Sequence, residues 1–220
     1  MKIDARERYD EGLVSLRQKA YHLLKQKIIT GEFAPGALLS EGELADLLGI
    51  SKTPVREALT QLQHDHLVSL IPRKGYLVTN LTLKDIQEIF EVRLILERAA
   101  TILAVERITA EELAAVERYL EMDFDPTHHE DLLRYVQANR DFHLEIARAS
   151  HNQRLYDHLY QIFIDAQRLQ YMDLTIWGAP WVWQRDHERI VETLRRHDKE
   201  AAAAAVEAAL EEARTRLLSI

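Results

Sequence analysis

The chain of 220 residues contains no cysteine, which removes disulfide scaffolds, thiolate zinc sites, iron–sulfur clusters and cysteine nucleophiles together. A reducing compartment, the cytoplasm, is the expectation that follows. Long apolar runs are missing too: the longest stretch without a charged side chain, residues 174–184, has 11 residues, against the roughly 20 that a membrane-spanning helix needs. Met1 to Arg8 mix acids and bases without an apolar centre, so no secretory signal is expected. Glycine is scarce and uneven: of seven, six precede residue 76 and the other is Gly178. What is present, 47% hydrophobic and 29% charged residues, is the composition of an ordinary folded chain.

The formal net charge of −8, taken globally, argues against a nucleic-acid partner. It is an average over two unlike halves. Residues 12–80 hold 8 Lys/Arg and 6 Asp/Glu, a net of +2, whereas residues 81–220 hold 17 and 26, a net of −9. The glycine distribution changes near the same point, so two domains are expected, 12–80 and 81–220.

The front segment predicts three helices and a β-hairpin. Leu16 to Ile29 carries an apolar face and stops at Thr30-Gly31, and Pro35-Gly36 turns the chain. Ser40-Glu41-Gly42-Glu43 reads as a capping box for a second helix that Gly49 ends in a left-handed cap. Ser51 is expected to cap a third helix, with Pro54 in its first turn and Val55, Ala58, Leu59 and Leu62 facing inward. Two helices joined by so tight a turn form a helix-turn-helix. The β-prone runs Leu67–Ile71 and Tyr76–Thr79 then flank Pro72-Arg73-Lys74-Gly75, a hairpin with a basic tip. Such an arrangement lays its third helix in a DNA major groove, with Ser51, Lys52, Thr53 and Arg56 at its exposed start as base and phosphate contacts. Winged helices also serve as protein-interaction modules, and the pattern alone leaves that reading open.

The residue strings go further. Phe33-Ala-Pro-Gly-Ala-Leu-Leu-Ser40-Glu, then Leu48-Gly-Ile-Ser51-Lys-Thr-Pro-Val-Arg56-Glu-Ala-Leu, then Gly75-Tyr-Leu-Val, resemble the N-terminal domain of GntR-family transcription regulators. The resemblance implies operator contacts from Lys52, Thr53 and Arg56 on the recognition helix and from Lys74-Gly75 in the wing, with Ser40, Ser51 and Arg73 alongside. Gly42 departs from it, standing where several relatives carry a DNA-contacting arginine.

After residue 83 the apolar spacing is helical throughout, predicting an all-α bundle of six to seven helices. Thr109-Ala-Glu-Glu opens one helix, Asp125-Pro126 is expected to end it, and Asn152 and Gly178-Ala-Pro180 supply later breaks. Val92-Arg93 through Ala100, Asn139 through Asn152 and Asp186 through Leu194 resemble successive landmarks of the FadR-type sensor domain called FCD. The whole is thus expected to be mainly α: a winged helix-turn-helix followed by a helical effector-binding and dimerisation domain.

That resemblance implies a homodimer on a palindromic operator, most often a repressor, released or modulated by a small carboxylate effector. In many members a divalent metal, Zn²⁺ or Ni²⁺, sits between the helices on an aspartate, a histidine four residues on and two later histidines. Here Asn139 stands for the aspartate, His143 and His187 match two histidines, and Ala209 falls where the third belongs. One amide oxygen and two imidazoles make a poor zinc or nickel site, so a metal-free pocket with Asn139, His143 and His187 as hydrogen-bonding groups stands beside the metal reading. Arg93 is the candidate clamp for an acidic effector; its alternative is an ion pair with Glu97 one turn on. Trp177, Trp181 and Trp183 either line that pocket or seal a helix connection. A rival of another class, a metal-assisted hydrolase built on His143, His187, Asp141, Glu145 and Glu188, has no compact ligand motif and leaves the winged domain idle. A third reading keeps DNA binding and reduces the helical domain to dimerisation.

Overall fold

The computed structural model describes residues 15–121, 129–177 and 180–219, and the chain divides into two units between Leu81 and Thr82. In the first, α1 (Leu16–Ile29) is followed by β1 (Leu38–Leu39), α2 (Glu41–Leu48), α3 (Lys52–His64), β2 (Val68–Ile71) and β3 (Gly75–Val78). Ser15 and Gln18 close a reciprocal capping box on α1, leaving Ala20, Leu24 and Ile28 at helical spacing to bury one stripe. That stripe meets Val55, Leu59 and Leu62 of α3 and Val68 and Val78 of the sheet in a single core. Leu24, Leu59 and Leu62 are fully buried, each contributing roughly 1.5–3 kcal/mol.

The wing is wider than the expected hairpin. β3 pairs with β2 in antiparallel register, Ile71 opposite Gly75, and on its other edge with β1, Leu39 opposite Tyr76. Two residues of β1, too short to carry a period, complete a three-stranded sheet of order β1-β3-β2. Gly75 is what lets the strands close: its φ is +124° and a Cβ there would lie 2.4 Å from the Leu39 carbonyl oxygen. Gly75→Ala is therefore expected to loosen the wing by about 1–3 kcal/mol, seen as faster amide exchange at Leu38–Leu39 and Gly75–Val78; unchanged protection there would refute the close-approach argument.

Two capping expectations are corrected. Ser51 occupies the N-cap of α3 but its side chain makes no cap hydrogen bond. The third residue of the helix is Pro54, which has no N–H to offer the hydroxyl. On α2 only half of the expected capping box forms: Ser40 Oγ accepts from Glu43 N–H at 3.2 Å, without the return bond from the Glu43 side chain; Gly49 ends the helix in the left-handed conformation with φ 67°.

The second unit comprises α4 (Leu83–Arg107), α5 (Ala110–Glu117), a 3₁₀ turn (Arg118–Glu121), α6 (His129–Ala149), α7 (Gln153–Trp177), α8 (Pro180–Arg195) and α9 (Lys199–Leu218). Thr82 with Asp85, and Thr109 with Glu112, form capping boxes for α4 and α5. Helix α5 ends at Glu117 and the 3₁₀ turn tightens the chain before Asp125-Pro126, which lies outside the described residues, as does Gly178-Ala179. Ala149 to Asn152 breaks α6 from α7, with His151 at φ 51°. Helix α4 is the axis of the bundle, packing against α6, α7, α8 and α9. The alanines Ala202, Ala203 and Ala205 of α9 are buried, short side chains that permit close helix approach. Among the described residues no helix is long and apolar enough to cross a membrane.

Candidate functional site

Two separate places gather the residues singled out above. The first is the exposed start of α3. Lys52, Thr53 and Arg56 are solvent-exposed there, while Val55, Ala58 and Leu59 hold the opposite face in the core. Arg56 does not hang free: Nε lies 2.9 Å from Glu41 Oε1 and Nη2 lies 2.7 Å from Glu41 Oε2. This bidentate fork joins the first turns of α2 and α3, fixes the guanidinium plane and leaves Nη1 outside it. The hydrogen bond from Arg56 holds the Glu41 carboxyl below its ordinary range. Lys52 folds back so that Cε and Nζ lie 3.7 Å from the position a Cβ would take on Gly42. An ammonium thus covers the space above the residue where the resemblance expected an arginine. Ser40 is engaged in capping α2, whereas the Ser51 hydroxyl is unused by its helix. At the wing tip Arg73 and Lys74 are exposed, and Arg73 takes a left-handed φ of 64°, a conformation that usually falls to glycine or asparagine.

The second place is a cavity of about 40 Å³ inside the helical unit, walled by α4, α6, α7, α8 and α9. Arg93, Asn139, His143, His187 and Ala209, drawn from four of those helices, all line it. Asn139 and His143 share a face of α6, as their spacing requires. Arg93 Nε binds Glu97 Oε1 at 2.7 Å, and Glu97 Oε2 lies 2.9 Å from His143 Nδ1. The Arg93 guanidinium also sits over the rings of Phe90 and Phe163, 5.2 and 4.9 Å from their centroids. His187 stacks on Phe142 with centroids 3.8 Å apart. Asp141, Glu145 and Glu188, the acids of the hydrolase reading, are not among the lining residues.

These donors do not fit the metal that the resemblance allows. Ala209 offers no ligand atom and Asn139 offers only an amide, so the lining supplies two imidazoles, His143 and His187, in place of the expected set. Among the described residues no group of three His, Cys, Asp or Glu side chains is arranged to hold an ion.

Sequence reasoning missed four polar residues of the lining: Gln170 and Asp173 from α7, Asp186 from α8 and Arg216 from α9. Arg216 binds Asp173 through Nε and Nη2 at 3.0 and 2.9 Å, and Trp183 Nε1 donates to Asp173 at 3.1 Å. Trp183 is therefore part of the pocket wall; the side chains of Trp177 and Trp181 lie outside the described residues.

Burial dominates the electrostatics. It would raise the Glu97 carboxyl, but Arg93 and then His143 more than reverse it and hold the group at about 2. Burial, helped by His143, pushes His187 well below its ordinary value of 6.5. For both, the unfolded chain binds a proton that the folded chain refuses, so stability is full above the unfolded value and lost as pH falls. The urea midpoint is expected to start dropping below about pH 6.5 through His187 and to drop further between about 4.5 and 2 through Glu97. The variant Arg93→Met/Glu97→Gln should flatten the lower limb only; an unchanged lower limb would mean that Glu97 is not the group responsible.

A winged helix-turn-helix with a cation presented at the head of its third helix, joined to a helical bundle with a cavity that gathers charged and imidazole side chains, defines a DNA-binding regulator of transcription. Residues 16–78 match the bacterial regulatory proteins of the gntR family, and residues 88–212 match the FCD domain. The chain belongs to the GntR family, in the group that carries an FCD domain. It is 33% identical over 184 residues to the HTH-type transcriptional regulator YdhC of Bacillus subtilis, covering 83% of this chain and 82% of the relative. It is 24% identical over 197 residues to the HTH-type transcriptional repressor RspR of Escherichia coli, covering 90% of this chain and 86% of the relative. The solved structure of Escherichia coli McbR/YncC superposes with a TM-score of 0.73 at 25% identity, covering 94% of this chain and 99% of that one. These relatives are regulators of transcription, and so is this protein, rather than an enzyme.

Proposed function

We propose that the protein is a homodimeric, ligand-responsive repressor in the cytoplasm that binds a palindromic operator through α3 and the wing. The fork between Glu41 and Arg56 is the observation that carries the DNA-reading part: an exposed guanidinium already fixed in plane suits bidentate contact with guanine in the major groove. Lys52, Thr53 and the uncapped Ser51 hydroxyl are the neighbouring base and phosphate contacts, with Lys52 taking over from the side chain that Gly42 lacks. Arg73 and Lys74, held at the hairpin tip where Gly75 allows the turn back into the sheet, reach backbone or minor groove, and Ser40 orders α2 beneath them. Because the front segment carries a net of only +2, affinity comes from these few cations and falls steeply with salt.

Repression is supported by the name of RspR. The cavity supports a small organic effector bound where Arg93, Asn139, His143 and His187 meet. Its differential affinity for two dimer arrangements would set operator release. Fragments of genomic DNA selected on the purified protein and footprinted should show two symmetric half-sites one helical turn, about 10 base pairs, apart. A footprint without two-fold symmetry would overturn the dimeric reading.

A further inference from the structure

We infer that the cavity of the helical unit takes an uncharged ligand presenting a hydrogen-bond acceptor and a donor side by side, of the carboxamide, urea or lactam class, and that Gln170 reads that pair. The inference rests on the cavity being the effector site and names the chemistry of what fills it. Charge and unmet hydrogen bonding carry it independently.

The ionisable lining comprises two guanidiniums, Arg93 and Arg216, against three carboxylates, Glu97, Asp173 and Asp186. Both guanidiniums are committed. Arg93 is on Glu97 at 2.7 Å. Arg216 grips Asp173 with two nitrogens, while its third, Nη1, lies 3.6 Å from Glu212. Asp186 is matched from outside the lining, by Arg185 at 3.2 Å and Arg189 at 3.8 Å. Each guanidinium of the lining thus faces a carboxylate, and Asp186 is matched by its own arginines. Burial holds the His187 imidazole well below its ordinary value, so it adds no cation either. A carboxylate entering here finds no uncompensated cation, and a buried charge without a partner is the most unfavourable group a protein interior can hold.

Gln170 is 4% exposed, and neither Oε1 nor Nε2 has a hydrogen-bond partner. Exchanging the two ends of the amide does not help, since both are unmet. Gln161 and Gln167 each leave one atom unmet, but neither lines the cavity. Buried amides are rarely left so. The complement of a primary amide is a carbonyl that accepts from Nε2 beside an N–H that donates to Oε1. A carboxylate offers acceptors alone and would set a lone pair against Oε1. Arg216 Nη1, also buried and without a hydrogen bond, is a further donor among the lining residues. Phe90, Ile190 and Leu210 leave apolar lining for the rest of a small ligand.

The test is a thermal-shift comparison on the full chain with pairs differing only in carboxamide against carboxylate: lactamide and lactate, propionamide and propionate, succinamide and succinate, at millimolar concentration. The amides are expected to raise Tm by about 2–4 °C, the acids to leave it unchanged, and Gln170→Leu to abolish the amide shift without lowering the ligand-free Tm. Gln170→Met, closer in shape, takes its place should the leucine variant not fold. Shifts from the acids but not the amides overturn the uncharged ligand and leave the effector site standing. No shift from either member of any pair overturns both. An amide shift that survives in the Gln170 variants overturns the role of Gln170.

Discussion

Replacing Arg56 by alanine is expected to weaken operator binding about 5- to 150-fold, the loss of one bidentate base contact worth roughly 1–3 kcal/mol. The side chain is 62% exposed and packs in no core, so the fold should be untouched and the whole effect should appear in binding. Arg56→Lys separates charge from geometry. A lysine keeps the cation but cannot be held in the Glu41 fork, so it should restore affinity for any DNA and little of the discrimination between sequences. Glu41→Ala is the converse. Removing a carboxylate beside the DNA face raises non-specific affinity, while freeing the guanidinium lowers specificity. Fluorescence anisotropy against operator and scrambled duplexes at two salt concentrations measures all three. Unchanged operator affinity in Arg56→Ala would place recognition elsewhere than the head of α3.

Arg93→Met should destabilise the helical unit by about 3–5 kcal/mol, because it strands Glu97, 3% exposed, as a buried charge whose strongest partner is gone. Lost packing is a small part of this: methionine fills the space between Phe90 and Phe163 and makes its own sulfur–aromatic contacts. The double variant Arg93→Met/Glu97→Gln should recover all but about 1 kcal/mol, since removing both members of a buried pair is far less costly than removing one. The three tryptophans, at 177, 181 and 183, all belong to this unit, so their fluorescence in urea follows its unfolding alone. A stable Arg93→Met that has lost only its ligand response would restore Arg93 as an effector clamp and reduce the ion pair to a bystander.

The winged unit is largely legible because its determinants are local. Gly49 as a left-handed cap, Pro54 in a first turn and the apolar positions of α3 can each be read within a few residues. The exceptions are also instructive. Ser51 looked like a cap until Pro54 was counted as a missing donor, a check available from sequence. The strand Leu38–Leu39 exists only because β3 has an edge to offer it. In the helical unit the four candidates Arg93, Asn139, His143 and His187 converge on one cavity with Ala209, but Gln170, Asp173 and Arg216 gave no warning. Arg216 meets Asp173 across 43 residues of chain, from helices whose mutual rotation only packing decides. No spacing rule reaches that far, and a buried glutamine on an amphipathic helix reads as solvent-facing until its neighbours are known.

Helix α4 starts at the division between the units and passes the cavity on its way. Between Leu83 and Arg107 it contains neither glycine nor proline, so it has no weak turn at which to flex. Arg93 stands 11 residues beyond Thr82, about 16 Å along the axis at roughly 1.5 Å per residue. A sideways push at the Arg93 turn would therefore tilt the helix as a stiff rod rather than unwind it. A tilt of about 10° about that turn would carry the Thr82 end of the helix through about 3 Å, close to the rise of one base-pair step.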